Sequence, residues 1–205
     1  MSLAPRRWAA ELLHFWFHEL RPEDWWGGSD TIDAICTGRF QHELEALSAM
    51  SHASFTGDSR TALAAVLLFD QMPRNIYRET PRAFAFDPLA RAITIRALDR
   101  AYDRTFPPRH AQFLAMPLMH SEDIADQLRS LAVFRRINAG RNLGFARSHY
   151  RMIARFGHFP HRNDVLGRHS TAKEKCAVAA AMRGDQLFGL SSFAGRMRCA
   201  SSNSE

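Results

Sequence analysis

Thr61-Ala62-Leu63-Ala64-Ala65-Val66-Leu67-Leu68-Phe69-Asp70-Gln71-Met72-Pro73 is the stretch that decides the fold. Residues 62–69 are apolar without interruption, and Asp58 or Ser59, just after Gly57, is placed to cap a helix that carries them. A helix over 61–71 has no polar face, so it belongs in the middle of a core made by other elements. The run is too short to cross a bilayer, and no longer apolar run exists in the chain. Pro73 is expected to end the helix, because the residue before a proline is pushed out of helical geometry.

The segments on either side read as helices too. Trp8, Leu12, Phe15 and Trp16 recur at helical spacing over 8–20, with Glu11, His14 and His18 on the opposite stripe. Trp25-Trp26-Gly27-Gly28 reads as a packed aromatic turn before a second helix, capped at Ser29 or Asp30 and reaching about Met50. Asp87-Pro88 places a capping side chain before a proline at a first helical position, which predicts a helix to about Tyr102. Pro107-Pro108 and Pro117 are expected to bracket a short helix over 109–115, followed by one capped at Ser121 and another over 143–156. Thr171 and Glu174 form a capping-box pattern for a last helix. No segment alternates with period two between hairpin turns. The expectation is an all-α fold of about eight helices in stacked antiparallel pairs, without an exact internal repeat. It forms a single domain over 1–193, and the small, polar residues 194–205 read as a frayed tail.

With 205 residues, 46% hydrophobic and 23% charged, the chain can bury a full core and needs no disulfide framework. Its three cysteines, Cys36, Cys176 and Cys199, form no C-x-x-C pair, which points to a reducing compartment, the cytoplasm. Arg6-Arg7 is not followed by the apolar stretch of an export signal. The formal charge of +6 is unevenly spread, −2 over 1–102 and +8 over 103–205. Such asymmetry serves either a basic surface for phosphates or acidic partners, or the mutual attraction of the two halves. No RNA-binding signature or helix-turn-helix pattern accompanies it, so neither nucleic acid nor a membrane is the favoured partner.

Three polar segments interrupt the apolar ones. In the first, the Asp70 carboxylate follows the apolar run and needs a cation if it is buried, and Arg74 is at hand beside Gln71 and Asn75. In the second, His120 stands outside a helix start whose Ser121, Glu122 and Asp123 are explained by capping and by the helix dipole. In the third, Arg155 closes a row with Arg147 and Arg151 at one-turn spacing, just before His161, Arg162 and Asn163. Like charges at that spacing repel, so Asp99, Glu122 or Asp126, a solvated surface with chloride, or an anionic ligand should face them. Guanidiniums suit carboxylate and phosphate. His14 and His18 share a helical face, but a solvated stripe explains them, and neither a metal nor another cofactor is expected.

The motifs Phe15-Trp16-Phe17, Trp25-Trp26, 68–78, 80–84, Met116-Pro117-Leu118-Met119-His120-Ser121-Glu122-Asp123, Arg155-Phe156-Gly157 and 159–163, in that order, cover nearly the whole chain. In them the chain resembles the bacterial domain-of-unknown-function family numbered nine hundred and twenty-four. The resemblance implies an all-helical, tetratricopeptide-like fold and carries no reaction. Its motifs coincide with the three polar segments. His18 stands where the family usually has glycine, and Ala172-Lys173 where it usually has proline and glutamate.

Two functional readings follow. One is a binding protein whose groove holds an anionic small molecule or acidic peptide through Gln71, Arg74, Asn75, Arg155, Arg162 and Asn163. The other is an enzyme in which His120 or His161 is a general base oriented by Asp70 or Glu122. A third possibility makes the same residues plain inter-helix locks.

Overall fold

A computed structural model of the chain describes residues 7–137 and 140–185, and the expected tail at 194–205 lies outside the described residues. All regular structure among the described residues is helical. Helix α1 (Arg7–His14) runs into a π turn, Phe15–Glu19. Through that wider turn the consecutive Phe15, Trp16 and Phe17 are all buried, while His14 and His18 stack ring on ring at 5.4 Å on the outside. Helix α2 (Asp30–Leu47) buries Cys36, Phe40 and Leu44 at four-residue intervals and ends short of Met50.

Asp58 caps α3 (Ser59–Val66), accepting from the Thr61 N–H at 2.8 Å. Every residue over 61–73 is buried, as its sequence requires of a central helix. Pro73 does not end it. The helix widens into a π turn at Leu67–Gln71 and continues as α4 (Met72–Ile76). In that turn the Met72 N–H bonds the Leu67 carbonyl, five residues back. This offset lets the chain pass a residue with no N–H to give.

Helix α5 (Asp87–Asp99) starts at Asp87-Pro88 as expected, but the Asp87 carboxylate is drawn to two arginines instead of capping. Helix α6 (Pro108–Met119) contains Pro117 in its interior. The expected break is absent because residues 111–119 are buried throughout, and the His120 N–H still reaches the Met116 carbonyl at 2.9 Å. The cap of α7 (Ile124–Arg136) is Asp123, not Ser121, whose hydroxyl donates to Asp126 at 2.6 Å. Helix α8 (Arg141–Phe156) stops at Gly157, whose φ of +74° is the left-handed conformation of a glycine C-cap. The box ahead of α9 (Ala172–Asp185) is reciprocal: Glu174 accepts from the Thr171 N–H at 2.7 Å and its own N–H donates to Thr171 at 3.3 Å.

From α5 to α8 each helix packs on the next, while α3 touches α1, α5 and α6 and α2 lies on α4. One hydrophobic core, with members from Leu12 to Ala146, joins them. Helix α9 packs on the turn Pro160–Arg162. The chain is an all-α, single-domain fold, and the three polar segments end helices or follow them around the α3–α4 junction.

Candidate functional site

The π turn carries Asp70 into the core with no exposed surface. Its Oδ1 lies 2.8 Å from His120 Nδ1, at the C-terminal end of α6, and 3.3 Å from Arg74 Nη1. The other carboxylate oxygen accepts from Gln71. Burial by itself would raise the Asp70 pKa, but Arg74 and then His120 hold it below the usual carboxylate range. Asp70 is therefore an anion, and a hydrogen bond from His120 must come from Nδ1–H. The base site of the ring is then Nε2.

Arg74 reaches Asp87 at 2.9 Å, and Arg162 reaches the same carboxylate at 3.3 Å. Arg162 also donates to the His120 carbonyl at 3.0 Å and lies 4.6 Å from the Phe84 ring centre and 4.7 Å from that of Phe159. Burial lowers its pKa to about 10, with Asp87 opposing, so it stays a cation at neutral pH. Arg78, held by Asp33 at 2.6 Å, donates to Asn75 at 3.2 Å.

These groups wall a cavity of about 160 Å³. Its cationic wall is Arg74, Arg78 and Arg162, its imidazole wall His120, His149 and His161, and Trp26, Phe84 and Phe145 supply aromatic surface. Burial first, then the neighbouring cations, pushes His149 down to about 4 and His161 to about 3. Both rings are neutral at pH 7, and the three guanidiniums bring fixed positive charge to the cavity wall.

The structure thus brings together Asp70, Gln71, Arg74, Asn75, His120, His161 and Arg162. It leaves three candidates elsewhere. Glu122 is locked to Arg168 through both oxygens at 2.9 Å and accepts from the Phe159 N–H, so it orients no histidine. Asn163 is fully buried behind the site and donates to Ser170 at 3.1 Å. Arg155 is exposed on α8 with its guanidinium 4.9 Å from the Phe156 ring centre, away from the cavity. The acids expected to face its row are taken by other arginines: Asp99 by Arg129, Glu122 by Arg168 and Asp126 by Arg91.

Sequence reasoning missed Arg78, His149, the bridging role of Asp87, and Asn142, which lines the cavity and donates to Gln112. Arg78 lies one turn beyond Arg74, a signal that could have found it. His149 stands between Ser148 and Tyr150 on α8, with no motif to mark it, and only the packing of that helix brings its ring centre to 6.4 Å from that of His120.

None of the curated proteins matches the chain. Among solved structures, "Structure of Protein of Unknown Function ATU0120 from Agrobacterium tumefaciens" is similar, with a TM-score of 0.79 and 32% identity. The likeness covers 84% of this chain and 97% of that one. Residues 12–181 match the family described as "Bacterial protein of unknown function (DUF924)", and the chain belongs to that family.

Proposed function

We propose that the chain is an enzyme that moves a proton on a small anionic substrate, with His120 as the general base and Arg74, Arg78 and Arg162 holding the negative charge. The observation that carries this reading is the Asp70–His120 contact at 2.8 Å beside a cavity that His120 itself lines. A base must be within reach of its substrate and held in one tautomer, and a buried carboxylate on Nδ1 provides the second condition. Asp70 is a positioning residue, since it does not line the cavity. A purely structural lock would have no cavity beside it.

The test uses purified protein and a bacterial small-molecule extract in heavy water, followed by chromatography and mass spectrometry, so that an isomer or an exchanged hydrogen is seen as well as a change of mass. A compound changed by the wild type and spared by His120→Gln is the expected result. If nothing is changed, or if both proteins change the same compounds, the enzyme reading fails.

A further inference from the structure

A second cavity, of about 460 Å³, opens beside the first. Phe84, His120 and Arg162 line both. His120 therefore stands where two chambers of different size and chemistry meet, with Asp70 behind it lining neither. The inner one has room for a group about as large as benzene, which fills an engineered cavity of about 150 Å³. Its wall carries three guanidiniums and, among the described residues, no carboxylate. On the outer wall Asp87 meets Arg162, Glu122 meets Arg168 and Arg91 is held by Asp126, while Pro81, Ala85, Pro88, Pro117 and Leu166 supply apolar surface.

The geometry points to a two-part substrate: a small anionic head in the inner chamber, joined by a polar link at His120 and Arg162 to an apolar arm lying in the outer groove. This rests on the reading of His120 as a base and names what it acts on. An anion suits a wall whose charged lining groups are all guanidiniums, each of which also meets a carboxylate outside the lining, Asp33, Asp70 or Asp87, and an apolar arm suits a wall of proline, alanine and leucine. The junction of the chambers is rigid enough to hold a link in place. Arg162 is clamped between the Phe84 and Phe159 rings and tied to the His120 carbonyl and Asp87. Its buried Nε also lacks a hydrogen-bond partner among the described residues. A head group alone would leave the larger chamber unused.

Calorimetric titration of the full chain with two matched pairs of probes tests this. N-acetylglycine and N-hexanoylglycine share a carboxylate head; methyl phosphate and hexyl phosphate share a phosphate head. The longer member of one pair is expected to bind at least about tenfold more tightly, because its extra methylenes leave water. That pair also tells whether the head is carboxylate or phosphate. Ala85 is exposed, so Ala85→Trp fills the groove without entering the core, and it should cut the ratio below about threefold. Equal binding within both pairs, a ratio untouched by Ala85→Trp, or no binding of any probe overturns the two-part substrate. If His120→Gln still abolishes turnover of an extract compound, such a result leaves the base in place; if turnover survives in that variant, both readings fall.

Discussion

Asp70 Oδ1 and His120 Nδ1 stand 2.8 Å apart although fifty residues separate them in the chain, and the carboxylate of the pair has no contact with solvent. The pair joins the middle of the core to the wall of a cavity. Nitrogen-15 spectra of the histidine side chains should show the neutral ring of His120 as the Nδ1–H tautomer, with Nε2 as its unprotonated nitrogen. In Asp70→Asn that preference should disappear, since a neutral amide no longer selects a donor. An Nε2–H tautomer in the wild type would falsify the assignment of the base.

Asp70→Asn should also cost stability. Arg74 then keeps Asp87 but loses its buried partner, and breaking a buried pair from one side costs about 3 kcal/mol. Urea denaturation measures this. A loss below about 0.5 kcal/mol would place the pair with weak surface bridges.

His120→Gln should lower turnover of the substrate by about 10²- to 10⁴-fold, the range for removing a general base. Stability should change far less than in Asp70→Asn, because Gln can still offer an N–H to the carboxylate. Comparing kcat with the thermal midpoint of both variants separates chemistry from folding.

Acid should unfold the protein from mildly acidic pH. His149 and His161 have folded pKa values of about 4 and about 3, below the ordinary histidine value of 6.5. The unfolded chain therefore takes up protons first, and stability falls as pH drops from 6.5 towards 3. Asp70, also lowered, adds its loss only below the ordinary carboxylate value of 3.8. Thermal midpoints measured from pH 7 to 4 should decline, and the decline should flatten when both histidines are replaced by glutamine.

Glu122→Gln should keep turnover and cost less than about 1 kcal/mol, because the Arg168 pair is partly solvated and an amide oxygen can still accept from the Phe159 N–H. A collapse of kcat in this variant would return Glu122 to the catalytic group. Thr171→Ala, by contrast, removes one half of a capping box and should cost about 1 kcal/mol, seen as faster amide exchange at the start of α9.

The sequence by itself determined the helical class, the central place of the helix over 61–71 and the need of Asp70, once buried, for a cation such as Arg74. Each follows from hydrophobic periodicity or from the cost of an unpaired buried charge, and both are local properties. The effect of Pro73 and Pro117 was not legible, because proline signals a break only where packing does not hold the helix together around it. The roles of Asp87 and Glu122 were misread for a related reason: each is a good helix-start residue, but a guanidinium from a distant segment competes for the carboxylate and wins. Only the tertiary structure decided which histidine meets Asp70, that Arg155 faces outward, and that His149 and Arg78 share the cavity. Those relations join segments tens of residues apart, and the close packing of α3, α4, α6 and α8 creates them.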